Sequence, residues 1–308
     1  MNGIHLVFPL ICIMAIGYAA RRKNVLTPEV CTKLNLLLFW VINPAILFRS
    51  TYLMGAGAHV PREFLLVLYG SFFLVPPLAW IIGGIQRLPK KRLGVSVLVS
   101  TRSNNVFMGI PVITMALGDA GMEVYSLFLA FGMAGYMVIS IAWGESAFSG
   151  KLSFASLGKT FLKVLKNPLV LSCLGGMALG SLFSGELPRD LEMSMRILGN
   201  SASGMALLAL GASLHPEMLL KGLAHSWQDV GMKLVVHPGV VWLLCRLFPL
   251  PAMMEHTLVL LAALPAAINN FPLAEGMGMD AQYAAEIVAT TTLVSVITLP
   301  LWLGFLGV

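Results

Sequence analysis

Arg102-Ser103-Asn104-Asn105-Val106-Phe107-Met108-Gly109-Ile110-Pro111 decides how this chain is read. The stretch lies inside an apolar segment long enough to cross a bilayer, yet it carries an arginine, two asparagines, a glycine and a proline. Proline removes a backbone donor and clashes with the preceding turn of a helix. In hydrocarbon, each backbone group freed in this way, and each charge, needs a partner in protein or in a water-filled cavity. A related stretch returns late in the chain as Leu264-Pro265-Ala266-Ala267-Ile268-Asn269-Asn270-Phe271-Pro272. Two interrupted apolar segments at corresponding places in two halves point to the binding site of a secondary transporter.

The composition around these stretches belongs to lipid. Of 308 residues 57% are hydrophobic and 11% charged, where a soluble domain carries about a quarter charged residues. The mean hydropathy is +0.84. The net charge of +6 comes from short basic clusters between apolar segments, which read as topology signals and not as a nucleic-acid footprint. Cys12, Cys31, Cys173 and Cys245 show no metal-binding spacing and read as small core residues. The first apolar segment lacks a basic leader and an A-x-A site, so it is expected to be a retained span.

A span needs about 20 apolar residues, and ten segments qualify, near 4–20, 29–47, 64–85, 94–117, 123–143, 168–183, 187–214, 230–248, 256–277 and 283–306. The expected fold is therefore an all-α membrane protein of ten helices. The seventh is expected to be broken at 199–204, and the eighth contains His237-Pro238. Lys and Arg gather in the loops after spans one, three, five and seven, which places those loops in the cytoplasm and both termini outside a plasma (inner) membrane. Ten spans divide as five plus five, residues 1–150 and 167–308. An odd number per half inserts the second repeat upside down relative to the first and brings the two broken segments together near the midplane. The linker 151–166 is basic, with Phe154, Leu157, Phe161, Leu162 and Leu165 at helical spacing. It reads equally as a helix lying on the membrane surface and as a solvated loop.

Arg102 lies about 13 Å into its span at the helical rise per residue. It can serve an anionic substrate, which a guanidinium meets with two parallel hydrogen bonds; the alternative is a partner such as Glu275 or the carbonyls freed at the break. Asn104, Asn105, Asn269 and Asn270 each offer an acceptor and two donors, for substrate or for the unwound backbone. Unpaired N–H groups at helix starts favour negative charge. Asn43-Pro44 is a further irregularity that can face the broken helices. His237 reads as a satisfied core polar group, and the GxxxG at Gly176–Gly180 allows close helix packing, within the protomer or in a dimer. Glu275, Asp280 and Glu286 are candidates for proton or sodium coupling but lie near span ends. HExxH, G-x-S-x-G and P-loop signatures are absent, so neither an enzyme nor an ATP-driven pump is expected. No cofactor or metal is called for.

The motifs resemble those of the auxin efflux carrier family of bacterial and plant permeases, which includes malonate and malate permeases and the plant PIN-FORMED carriers. The residues that carry the resemblance are Asn43-Pro-Ala-Ile-Leu-Phe48, Arg102-x-Asn104-x-x-Phe107-x-Gly109-x-Pro111, the run Gly204–Leu214, Leu264-Pro-Ala-Ala-Ile-Asn269 and the run Thr292–Pro300. They span nearly the whole chain in order. The resemblance implies an inverted-repeat carrier whose fourth and ninth helices are broken and crossed, with Gly109, Pro111, Pro265 and Pro272 at the breaks. It implies that spans one, two, six and seven form a scaffold, often a dimer interface, and that the other six form a transport domain moving like an elevator. It implies small organic anions as substrates, with the crossover asparagines at Asn104 and Asn269. Val106 stands where a glycine is common, and Pro272 is an added proline.

The expected function is thus a secondary carrier of a small mono- or dicarboxylate, with Arg102, Asn104, Asn105, Asn269, Asn270 and Asn43 as substrate-binding residues. The expected partners are the anion, membrane lipid and a second copy of the chain. The rival from another class is a membrane sensor that binds a ligand on a carrier-like fold without moving it; a channel is a third reading.

Overall fold

The structure, a computed structural model, describes residues 3–54, 60–150, 166–183, 187–214 and 219–308. It is built from helices: α1 (Gly3–Arg22), α2 (Pro28–Leu37), α3 (Asn43–Met54), α4 (Arg62–Ile85), α5 (Lys90–Val99), α6 (Ile110–Leu127), α7 (Met133–Ser149), α8 (Pro168–Phe183), α9 (Arg189–Ala212), α10 (Leu219–Gly231), α11 (His237–Leu247), α12 (Ala252–Ala263), α13 (Asn270–Gly276) and α14 (Ala281–Leu306). Among the described residues there is no strand; one isolated antiparallel bridge joins Ser103 and Ala266. Among the described residues, five stretches are long and apolar enough to cross a membrane: Pro28–Leu53, Arg62–Ile85, Asn105–Gly132, Gly222–Leu247 and Ala281–Leu306. Pro168–Phe183 and Ala252–Ala263 are shorter apolar helices. Phe73, Leu74, Ile81, Leu182, Ile197, Leu301 and Phe305 point outward, and so large an exposed apolar surface needs lipid to cover it.

Prolines shape these helices without always breaking them. Short π-helical turns at 38–42, 105–109 and 232–236 each end one residue before Asn43-Pro44, Ile110-Pro111 and His237-Pro238. The wider turn accommodates a ring that cannot donate to the carbonyl four residues back. The first break therefore lies at 100–104, between α5 and the 105–109 turn, and not at Gly109 or Pro111. Gly109 ends that turn and Pro111 sits in the first turn of α6, where a missing N–H is harmless. The second break lies at 264–269 and contains Pro265, while Pro272 occupies the first turn of α13. Between 110–117 and 119–127 the chain turns at Gly118, whose φ of +62° suits glycine.

The expected break at 199–204 is absent: α9 runs unbroken through it. Gly199 and Gly211 of α9 serve close packing instead. A Cβ at Gly211 would meet the Met14 carbonyl oxygen at 2.0 Å, and one at Gly17 the Leu208 oxygen at 2.2 Å, so α1 lies directly on α9. Gly176 allows α8 to approach α3 at Thr51 and Phe48, which is contact within the protomer. Elsewhere α5 packs on α7, α10 on α14 and α11 on α12. The amphipathic linker expectation falls on 151–165, outside the described residues.

Candidate functional site

The two breaks cross at the centre of the bundle. Asn104 N–H donates to Pro265 O at 2.8 Å, and Ala267 N–H to Arg102 O at 2.9 Å. Thr291 Oγ1 accepts the Ala266 N–H at 3.1 Å. Tyr136 OH donates to Ser103 O at 3.1 Å and Tyr125 OH to Asn105 O at 2.7 Å. Two non-helical segments in an apolar interior expose polar backbone that must be paired. Here each break partners the other, and hydroxyls from α6, α7 and α14 take part of the remainder.

Arg102 has no exposed surface. Its Nε donates to Asn270 Oδ1 at 2.6 Å and its Nη2 to Asn269 Oδ1 at 3.3 Å. Its Nη1 reaches Ser140 Oγ at 3.1 Å and Met137 Sδ at 3.2 Å. The guanidinium carbon stands 5.3 Å from the centre of the Tyr136 ring. Among the described residues it forms no ion pair. The expected alternative partner, Glu275, is exposed and not among its contacts. Arg102 is thus a buried cation solvated by neutral oxygens, and it ties the first break to the second.

Beside the crossing lies a cavity of about 270 Å³, lined among others by Phe39, Asn104, Tyr136, Asn167, Ile268 and Asn269. The amide groups of its asparagines are engaged unequally. Arginine is donor-only, so the Asn269 carbonyl oxygen faces Arg102 and its NH₂ faces elsewhere. Asn167 Oδ1 accepts the Leu169 N–H at 2.9 Å, which likewise leaves its NH₂. Asn104 Nδ2 is buried without a partner. Asn105, also on the cavity wall, brings one unpartnered acceptor, Oδ1.

The structure therefore brings Asn104, Asn105 and Asn269 together at the cavity and sets Arg102 and Asn270 behind it. Asn270 is fully buried, with Nδ2 unpartnered. Asn43 is buried in the first turn of α3 and does not line the cavity, although Phe39, one turn earlier, does. The sequence reading missed Asn167, whose capping role is written in the pair Asn167-Pro168 at a helix start, and Tyr136 and Ser140, which no local pattern marks. His237 has a partner: Lys233, fully buried, holds Nζ 3.3 Å from His237 Nδ1 and donates to Ala262 O at 2.6 Å.

A second cavity, also about 270 Å³, is lined by Arg49, Arg196, Asp119 and Glu123 with apolar neighbours. Arg49 is paired with Glu192 at 2.7 Å. Its charges are of both signs and do not single out an anion.

Apolar helices, several of them membrane-spanning in length, with two polar breaks crossing beside a cavity, define a multi-pass membrane protein of the transporter class. The membrane transport protein family matches residues 2–147 and 149–303, and the chain belongs to that family, the auxin efflux carriers. It is 26% identical over 296 residues to a protein of Rhizobium meliloti whose given name proposes malonate transport, covering 95% of this chain and 92% of that one. It is 22% identical over 315 residues, 98% of both chains, to an uncharacterized transporter of Methanocaldococcus jannaschii. It is also similar to the lysosomal cholesterol signaling protein of Mus musculus, 26% identical over 217 residues, 66% of this chain and 24% of that protein.

Proposed function

We propose that this protein is a secondary carrier that moves a small organic anion by alternating access. The observation that carries this reading is a cavity walled by three asparagines, Asn104, Asn167 and Asn269, next to a buried guanidinium without a carboxylate partner among the described residues. Donors without matching acceptors stabilise a carboxylate, and the Arg102 charge adds to the potential without contacting the ligand. The relative named for malonate transport fits a mono- or dicarboxylate of this size.

The wider reading is a ten-span, five-plus-five inverted repeat. Spans one, two, six and seven form the scaffold and a homodimer contact; the rest carry the site as an elevator. Both termini lie outside the inner membrane. Transport is coupled to a proton or to sodium. The close seams of α1 on α9 and of α3 on α8 support the scaffold grouping. A second reading, a sensor that binds without translocation, is favoured by the similarity to a protein named for cholesterol signaling.

The test is counterflow in proteoliposomes with a panel of labelled mono- and dicarboxylates. Wild type is expected to exchange at least one acid saturably, and the double variant Asn104→Ala/Asn269→Ala to lose that exchange by tenfold or more. Saturable binding of an acid without counterflow would favour the sensor and end the carrier reading.

A further inference from the structure

A buried acidic group in the membrane helices plays no part in the crossing. Asp229 of α10 is 3% exposed and lies within the stretch Gly222–Leu247, long and apolar enough to span the membrane. Ser96 of α5 donates its hydroxyl to Oδ1, and Tyr283 of α14 donates its hydroxyl to Oδ2. No described residue forms an ion pair with it. Gln228, its neighbour in the chain, is buried with its side-chain amide against Asp229 and Tyr283. A carboxylate so placed has lost water and gained no cation, the arrangement in which a proton is most readily taken up.

We propose that Asp229, held by Ser96 and Tyr283 where α5, α10 and α14 meet, is a proton-binding carboxyl, and that its protonation accompanies anion movement, making the protein a proton–anion symporter. The coupling rests on the carrier reading above; the proton site itself does not. The site stays hydrogen-bonded in both states. Unprotonated, each oxygen accepts one hydroxyl. Protonated, the new Oδ2–H bond donates to the Tyr283 oxygen, and the Tyr283 hydroxyl turns to the His225 carbonyl, 3.4 Å away. One proton is bound, the site's charge goes from −1 to 0, and release reverses the step with no other reactant. A hard cation takes about six oxygen ligands, and the groups that meet the carboxyl oxygens here are two hydroxyl donors. Among the described residues no cluster of His, Cys, Asp and Glu could hold a metal.

Among the described residues, the charged groups seen near the site are engaged with others. Arg92 of α5 lies 5.0 Å from the centre of the Tyr283 ring and pairs with Asp280 at 3.0 Å. Glu286 of α14 faces His225, 3.8 Å away. Lys233, one turn along from Asp229, is engaged with Ala262 O and His237. Coupling has a short path, because α5 ends at Val99, three residues after Ser96, and runs directly into the break that holds Arg102. A change in the Ser96 contact therefore acts on the anchor of the crossing.

Infrared difference spectra of the full protein in nanodiscs, titrated with pH, test the site without any substrate. A carbonyl band of a protonated carboxyl is expected in wild type, absent in Asp229→Asn and displaced in Tyr283→Phe; identical spectra for wild type and Asp229→Asn would overturn the proposal. In proteoliposomes, an imposed inward proton gradient is expected to raise wild-type accumulation of the exchanged acid at least tenfold, and Asp229→Asn to lose that gain. Tyr283→Phe, which keeps the ring, is expected to lose it severalfold and serves if Asp229→Asn does not fold. Accumulation driven by sodium, or by the proton gradient equally in wild type and variants, would overturn the coupling. Absence of wild-type counterflow, which needs no gradient, would instead count against the carrier reading and with it the symport, leaving the spectra to decide the proton site.

Discussion

The two breaks share an Asn-Asn pair and are built unequally. The first is buried throughout: Ser100, Thr101, Arg102, Ser103 and Asn104 are each 3% exposed or less. The second is buried through Ala267 and then opens, so that Asn269 is exposed while Asn270 is not. Chemically the first supplies the cation and the second supplies the carbonyl oxygens that solvate it. Likeness in letters between two halves thus does not carry likeness of role. One pair, Asn269 and Asn270, turns its oxygens inward to Arg102; the other, Asn104 and Asn105, leaves a donor and an acceptor unpartnered.

The most severe way to break this complementarity is Arg102→Met. It would leave the oxygens of Asn269, Asn270 and Ser140 without their donor, each at a cost of about 1–3 kcal/mol where buried. Thermal unfolding in detergent is expected to show a loss above about 3 kcal/mol, together with loss of counterflow. A variant of unchanged stability that fails only in transport would make Arg102 a ligand and not a strut, and the donor–acceptor division would go with it.

Comparing Asn270→Ala with Asn269→Ala sharpens the point within one break. Removing Asn270, fully buried against Nε of Arg102, is expected to lower stability by about 2 kcal/mol. Removing Asn269, exposed and more loosely bonded, is expected to lower it by less than about 1 kcal/mol, yet to reduce counterflow tenfold or more. Equal effects on both readouts would show that the two residues do not divide structure from binding.

Smaller effects come from the hydroxyl braces. Thr291→Val strands the Ala266 N–H of the second break and is expected to cost about 1–2 kcal/mol. Tyr125→Phe removes one of the donors to Asn105 O in the first break and is expected to cost about 1 kcal/mol. Chemical denaturation of both variants ranks them; the reverse order would mean that the first break depends more on its braces than the second.

Much of this was legible in the chain, for definite reasons. An arginine and two asparagines inside an apolar run violate what hydrocarbon tolerates, and the violation marks both breaks without any structure. The families of residues at 43–48, 102–111 and 264–269 point to the family that the comparison shows. The break positions were less legible, because Pro111 and Pro44 suggest rupture while a π-helical turn absorbs each of them. Gly199–Gly204 looked like a break because composition alone does not separate a flexible glycine from one that admits a neighbouring helix, as Gly199 does against Ile46. Asp229 went unremarked because its partners, Ser96 and Tyr283, are 133 and 54 residues away.

The gentlest probe acts where the two breaks are tied at their outer ends. Arg92 opens the helix leading into the first break, and Asp280 closes the segment that follows the second; their pair joins the two. Partial burial by itself would raise the Asp280 carboxyl, but the Tyr283 N–H and the Arg92 guanidinium outweigh it and hold it below its ordinary value, about 4 for aspartate. A lowered carboxyl contributes stability that is complete above its unfolded value and is lost as pH falls through the folded one. The contribution is therefore expected in full at neutral pH and to fade below about pH 4. Asp280→Asn keeps the cap on α14, since asparagine accepts from the Tyr283 N–H as aspartate does, and removes only the charge. Both partners are partly exposed, so the difference from wild type is expected to be about 0.5 kcal/mol at pH 7 and to shrink as pH falls below about 4. Thermal unfolding across that range checks it, and a difference that persisted at low pH would place the tie in the cap and its packing, not in the charge pair.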